Sequence, residues 1–478
     1  MTQVGRDAWA IADDVRAGRV QAAAVLDEHL AVLEAANPAL NAVCYLDADA
    51  ARAAARDVDD AVRAGRDPGR LAGVPMGVKE LASVAGWPDT HASLVYRDAV
   101  AAADDTEVSR IRAAGAVLVG LTTASEFGAV SYTNTPLHGV TRNPWDLSRT
   151  PGGSSGGSSA AVAAGVFPAC TGSDGGGSIR IPASYCGLPG MKSTYGRTGA
   201  GPGPFSFSMT SVCGPVVRSV RDAARYLDVI AGPTVTDPTS LAMPPGSLEA
   251  ELLSGEAQAA LRGLRVGWSA TLGYASAEPG VEAAAHEAAT VLVERAGLTL
   301  VDVDVEFTKP GTSWGILSTL DTLASHYEAQ HEHRDELTDV LQAGLASYEH
   351  LRPDLMLRAI RGRRAAVAAA APVFEAVDLL LTPTTPTPAF EAEGRLYGTV
   401  NGKEVSLAGL SAPFTMPFNL TGQPACSVPA GFVDGLPVAL QVVAHRHHDR
   451  HCLAAAAILE EARPWPKQAP TPTAAPRG

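Results

Sequence analysis

The sequence is short of aromatics, of paired cysteines and of positive charge. Phe, Trp and Tyr make up 5% of the chain although hydrophobic residues are 46%. A sizeable core must therefore be built mainly from Ala, Val and Leu. The formal charge of −14 excludes the basic footprint of general nucleic-acid binding and favours solubility. The one basic cluster, Arg358 to Arg364, falls on an expected helix as a solvated face. The six cysteines contain no C-x-x-C pair, which excludes the usual zinc cage and a disulfide framework. A reduced, cytoplasmic setting follows as the expectation. No apolar run reaches the roughly 18 residues a membrane helix needs, and no charged stretch leads into an apolar one near the N-terminus, so neither a membrane span nor a signal peptide is expected. H-E-x-x-H is absent, and so is a phosphate loop; Gly190-Met191-Lys192-Ser193 has the lysine but the wrong glycine spacing. The histidine-rich segments His326…His331-Glu332-His333 and His445-Arg446-His447-His448…His451 lack a spaced acidic partner. Neither a metal nor a cofactor is expected.

What is present is alternation. Apolar positions at helical spacing run over 7–35 and stop at Asn37-Pro38. A helix over 48–64, a strand over 71–78, a helix over 106–114 and a strand over 116–120 follow. The stretch 233–260 is Pro-rich and irregular, and a small insertion or helical cap over about 233–376 is expected to carry long helices at 312–346 and 353–376. Strands resume at 378–381, and Cys426–Pro429 and Val438–Val443 read as buried strands joined by a glycine turn. Residues 1–463 are read as a single domain and 464–478 as a disordered tail rich in Pro, Thr and Ala. The economical fold class is α/β: one large mixed, mostly parallel twisted sheet covered by helices on both faces.

Two glycine-serine runs interrupt this pattern. The first is Pro151-Gly152-Gly153-Ser154-Ser155-Gly156-Gly157-Ser158-Ser159; the second is Asp174-Gly175-Gly176-Gly177-Ser178-Ile179-Arg180. Such a run alone is a linker. These two lie between an Asn143-Pro144-Trp145 turn and an Ala-rich helix, then recur within Ser178–Ala183. The first also fits G-x-S-x-G, but that elbow needs an apolar strand before it, and Asp146–Pro151 is none. The second run can supply acyl-transfer chemistry: Ser178 as nucleophile, and the N–H groups of Gly175, Gly176, Gly177 and Ser178 as oxyanion donors. Such preset donors are worth about 10²–10³ in rate each. No histidine has a patterned place beside the runs; His91 and His138 are the nearest. A neutral lysine can replace histidine as the base, and Lys79, in Gly73-Val74-Pro75-Met76-Gly77-Val78-Lys79-Glu80, sits where burial would lower its pKa.

The lysine after a glycine corner, then G-G-S-S-G-G, then D-x-G-G-S-I-R-x-P resembles the amidase signature family, and the likeness extends through Gly187–Lys192, Gly214-Pro215 and Phe418–Pro424. The resemblance implies Ser178 as nucleophile, Ser154 as the bridging serine after a cis Gly153–Ser154 peptide, and Lys79 as the neutral base. It implies Ser155, Asp174 and Arg180 as residues that hold the two loops together. It further implies hydrolysis of a carboxylic amide, or of a related C–N bond such as an aryl amide or hydrazide, through a serine acyl-enzyme. The same residues serve the glutamine-hydrolysing amidase subunit of a tRNA-dependent amidotransferase, so that reading stays open. Two positions depart from the family pattern: Gly175 where Thr or an aliphatic residue is usual, which leaves the loop looser or the pocket roomier, and Glu80 where Asp is commoner. The candidate acyl-pocket residues are Trp87, Phe127, Gly128, Tyr132, Phe205 and Phe207, with the segment from Thr382 to Phe418. A small-molecule amide is the expected partner, with no nucleic acid and no membrane; a homodimer stays open.

Overall fold

The computed structural model describes residues 2–203 and 206–470. Its strands fall into two main hydrogen-bonded sheets. The five-stranded one runs in the order Val43–Leu46, Val117–Thr122, Pro75–Lys79, Ala169–Asp174, Val212–Val217. The six-stranded one runs Thr299–Leu300, Arg265–Trp268, Leu379–Pro383, Leu436–Ala444, Ala425–Val433, Gly190–Lys192. The α/β class and the mixed strand directions are as the alternation implied. The ladder is not one continuous sheet, however, nor mostly parallel. The two sheets abut where Gly190–Lys192 runs beside Val212–Val217, and there Pro215 has no N–H to extend a ladder. The hairpin Ala425–Val433 with Leu436–Ala444 makes the second sheet largely antiparallel.

Parallel pairing is concentrated where it matters for the site. Pro75–Lys79 lies between Val117–Thr122 and Ala169–Asp174 and is parallel to both. All five of its residues are buried, as a strand covered on both faces requires. Crevices for ligands form at the carboxyl ends of such strands. Here those ends deliver Lys79, Thr122 and Asp174 to one place. The largest core cluster is made chiefly of Ala, Val and Leu and draws on residues of both sheets, consistent with the scarcity of aromatics.

Several boundaries shift. The apolar stretch 7–35 is two helices, Ala8–Arg16 and Ala22–Leu40, because Gly18 takes a positive φ of 66° between them. Pro38 is accommodated in the last turn of the second, while Asn37 Oδ1 accepts from the N–H groups of Ala42 and Val43, both at 2.9 Å. The segment 233–376 is not simply an insertion. It contributes Arg265–Trp268 to the middle of the second sheet, and 248–259 holds two short helices. The cap consists of the helices Gly311–Glu332, Asp339–Glu349 and Pro353–Ala376. Residues 464–470, expected in a disordered tail, are docked: Lys467 pairs with Asp7 at 2.9 Å and Glu460 at 3.3 Å, and Ala469 donates its N–H to the Ala163 carbonyl. The rest of that tail, 471–478, lies outside the described residues. No helix among the described residues is long and apolar enough to cross a membrane.

Candidate active site

Lys79 ends its strand with the side chain fully enclosed, 1% exposed. Its Nζ lies 2.8 Å from Ser154 Oγ, 2.9 Å from Ser155 Oγ and 2.9 Å from Ser173 Oγ. Burial lowers the amine from 10.5 to about 7, against the opposing pull of Cys213, Asp174, Glu107 and Glu80. An amine at that value is substantially neutral at pH 7. Ser155 can donate its own proton to the Ser173 carbonyl at 3.3 Å, which leaves its oxygen to accept from Lys79. The Gly153–Ser154 peptide is cis, as the resemblance implied. Immediately after Ser155 the small-residue helix Gly156–Ala163 begins, and every one of its residues is buried.

Ser178 is half-buried and lines the same cavity as Ser154 and Ser173. No side chain among the described residues hydrogen-bonds its Oγ. The loop before it is held by Asp174, whose Oδ1 accepts from Gly177 N at 2.8 Å and whose Oδ2 accepts from Ile179 N at 3.3 Å. This corrects one expected oxyanion donor: the N–H of Gly177 is spent on Asp174 and turned inward. Among the described residues the N–H groups of Gly175, Gly176 and Ser178 have no such acceptor. Gly177 has a φ of +130° and a Cβ there would sit 2.4 Å from Thr415 Oγ1, so only glycine fits. At Gly175, by contrast, an added Cβ would meet only Ser211, at 3.8 Å. The side chain missing at that position leaves open space.

Asp174 and Arg180 form a wholly buried pair, with Nη2 to Oδ1 at 2.8 Å and Nε to Oδ2 at 2.9 Å. Burial would raise the Asp174 carboxyl; the Arg180 guanidinium and the Asn419 amide beside it hold it well below the usual carboxylate range. Arg180 also donates to Thr415 O, Gln441 Oε1 and Asn419 Oδ1, at 2.9, 2.7 and 2.7 Å. The loop that carries Ser178 is thereby pinned to the C-terminal third of the chain. Glu80 points away from the hydroxyls: it accepts from Ala124 N at 2.7 Å and pairs with His138 Nε2 at 2.7 Å. With Cys44 these make the one group of potential metal ligands among the described residues, their donor atoms within 4.8 Å of one another.

The cavity has a volume of about 510 Å³. Of the expected pocket residues, Phe127 and Gly128 line it, and a Cβ on Gly128 would come 3.4 Å from Ser154 Oγ. Leu407, Ala408 and Ala412 line it from the segment 382–418. Trp87 does not; it is core, its ring 5.4 Å from that of Tyr45. Tyr132 is not in the lining; it packs behind it, in an apolar cluster with Tyr185 and Phe390 that also includes Trp314 and Ala412 of the cavity wall. Phe207 is exposed and Phe205 lies outside the described residues. Residues not foreseen complete the walls. Trp314 donates Nε1–H to the Gly175 carbonyl at 2.7 Å, and His91, His326 and Gln330 close one end. Ser173 was signalled only by its place before Asp174 at a strand end, and Asn419 by its place in the Phe418–Pro424 segment. Trp314 and Gln330 carried no signal, and His326 was marked only as part of a histidine-rich segment without an acidic partner. Among the described residues no lysine or arginine lines the cavity.

Known proteins share both this sequence pattern and this fold. A model described as Amidase matches residues 24–453. A glutamyl-tRNA(Gln) amidotransferase subunit of Chloroflexus aggregans (strain MD-66 / DSM 9485) is 35% identical over 480 residues, covering 95% of this chain and 96% of its own. Among solved structures, a bacterial aryl acylamidase of the amidase signature enzymes superimposes with a TM-score of 0.89 at 30% identity, over 96% of both chains. The corresponding glutamyl-tRNA(Gln) amidotransferase subunit from Thermotoga maritima gives 0.74 at 28% identity, over 94% of this chain and 93% of that one.

Proposed function

Because the chain belongs to the amidase family, we propose that it hydrolyses a carboxylic amide, or a related C–N acyl bond such as an aryl amide or hydrazide, to acid and amine through an acyl-enzyme on Ser178. The observation that carries this reading is the buried Lys79 Nζ, ringed by three hydroxyl oxygens within 2.9 Å, two of them on Ser154 and Ser173, which line the cavity that also holds Ser178. A neutral amine has two N–H bonds and one lone pair, which suits two donated hydrogen bonds and one accepted from Ser154. In the proposed reaction Ser178 passes its proton to Ser154, which passes its own to Lys79. Ser178 Oγ attacks the carbonyl carbon, and the oxyanion is met by the N–H groups of Gly175, Gly176 and Ser178. The proton then returns through Ser154 to the leaving nitrogen as the C–N bond breaks. Water, deprotonated by the same relay, cleaves the ester and frees the acid.

A glutamine-hydrolysing component of a tRNA-dependent amidotransferase is the second reading, supported by the 35% identity to one such protein. Two observations favour the first. The structural likeness is greater to the aryl acylamidase, at 0.89, than to the amidotransferase component, at 0.74. Free glutamine also brings an α-carboxylate, for which an arginine or lysine is the ordinary partner, and the described cavity lining offers neither. The test uses the purified chain alone. Release of amine from acetanilide and ammonia from benzamide, with fluorophosphonate labelling lost in Ser178→Ala, is the expected result. Ammonia released from glutamine only after partner subunits are added would overturn it.

A further inference from the structure

The helix Gly311–Glu332 runs along the cavity from the oxyanion loop to its ring-walled end. Trp314 at its start is bonded to Gly175; Gly315, Ser318, Thr322, His326 and Gln330 then succeed one another on the cavity side. From Trp314 to Gln330 a helix rises about 24 Å. The far end differs in chemistry from the middle. His326 packs its ring 5.0 Å from that of Phe127 and 4.8 Å from that of His91. Its Nδ1 lies 3.1 Å from the Tyr96 hydroxyl, and with the phenol donating, the ring proton sits on Nε2. Burial first, and His91 second, lower His326 to about 4, so this donor is uncharged. One turn on, Gln330 is 1% exposed, yet its Nε2 has no hydrogen-bond acceptor among the described residues. A buried amide N–H left without an acceptor is costly.

We propose that His326 and Gln330 form a recognition pole for an uncharged hydrogen-bond acceptor, such as a carbonyl, borne on an aromatic ring of the amide substrate. The ring would lie against Phe127 and His91, and the acceptor would take the free N–H groups. A charged acceptor is disfavoured because no cation among the described residues lines the cavity while Asp237 and Asp321 do. The inference rests on the hydrolase reading above and names its substrate class.

The test compares isosteric biaryl probes with and without a terminal carbonyl, long enough to reach away from Ser178: 4′-acetylbiphenyl-4-carboxamide against 4′-isopropylbiphenyl-4-carboxamide, and N-(4′-acetylbiphenyl-4-yl)acetamide against N-(4′-isopropylbiphenyl-4-yl)acetamide, so that either side of the amide is sampled. The wild type is expected to favour the acetyl member of at least one pair. Gln330→Met keeps the volume and removes the amide. It is expected to raise KM for that acetyl probe about tenfold with kcat unchanged, as loss of one hydrogen bond made equally in ground and transition states does. The isopropyl probe should be unaffected, and His326→Phe should act in the same direction. Fluorophosphonate labelling of Ser178 reads the chemistry separately and checks that each variant is folded. Normal labelling with no preference in either pair, or a preference that survives Gln330→Met, overturns the pole and leaves the hydrolase reading standing. Failure of the wild type to label at all overturns both.

Discussion

Replacing Lys79 with methionine separates what this residue does for chemistry from what it costs the fold. A lysine in water holds its proton to 10.5; burial brings Lys79 to about 7. Each tenfold change in proton affinity corresponds to about 1.36 kcal/mol, so burying this amine costs about 5 kcal/mol at pH 7. Between the two values the unfolded chain holds a proton that the folded chain has lost. Stability therefore rises with pH across that window, by about 1.4 kcal/mol per pH unit, and the cost is constant below pH 7. Methionine carries no such cost. Removing Nζ also removes its hydrogen bonds to Ser154, Ser155 and Ser173, about 1 kcal/mol each, which leaves Lys79→Met more stable than wild type by about 2 kcal/mol at pH 7. The advantage should shrink and then reverse by pH 9. Activity moves oppositely. Loss of the proposed base should lower turnover by about 10²–10⁴ or more, and wild-type kcat/KM should rise with pH to about 7 and then level off as the amine becomes neutral. Initial rates from pH 5 to 9, and urea midpoints of both proteins at pH 7, 8 and 9, measure the two effects. A flat pH–rate profile, or a stability difference that does not change from pH 7 to 9, would refute a neutral buried lysine.

Ser178→Ala is expected to remove turnover by roughly five orders of magnitude or more, and mass spectrometry should find the fluorophosphonate adduct on Ser178 in the wild type; an adduct on Ser154 instead would reverse the roles. Arg180→Met leaves the buried Asp174 carboxylate unpaired, and about 3–5 kcal/mol of stability should go with it; an unchanged urea midpoint would contradict this. Gly175→Thr has room for its Cβ, 3.8 Å from Ser211, so it should fold normally while lowering kcat/KM for bulky aryl amides more than for acetamide. Equal effects on both would mean that this space is not part of the binding region.

The hydroxyl-lysine cluster was legible because its residues come in strings: glycines that a loop needs, serines between them, and a lysine closing a buried strand. The walls were not, for reasons that differ from residue to residue. The residues that Gly311–Glu332 gives the cavity mix apolar, hydroxyl, acidic and amide side chains, so no stripe of one type marks Trp314, His326 or Gln330. Phe127 and Trp87 read alike as aromatics near a motif. Their fates diverge because Phe127 adopts a left-handed φ of 48° that carries its ring to the cavity, a turn no propensity signals in a bulky residue. The division of the strands into two sheets depends on edge pairing across long sequence separations. Residues 464–470 have the composition of a tail, but Trp465 packs against the core and Lys467 meets two carboxylates, contacts that composition cannot express.

The Asp174–Arg180 pair resolves a conflict built into this kind of site. The loop carrying Ser178 needs an acceptor for the N–H groups of Gly177, Ile179 and Arg180, and a carboxylate supplies it. A bare carboxylate so near would favour the ammonium form of Lys79, and Asp174 does pull in that direction. Arg180, bidentate on the same carboxylate, sets a positive charge against that pull while the carboxylate oxygens still bind the loop. Arg180 is in turn satisfied by Thr415, Gln441 and Asn419, neutral acceptors that add no charge. A loop organised by an anion and a lysine that the proposed reaction needs neutral can then share one buried site. This explains why the side chains around the lysine itself are hydroxyls, which hydrogen-bond either protonation state and so let burial set its pKa.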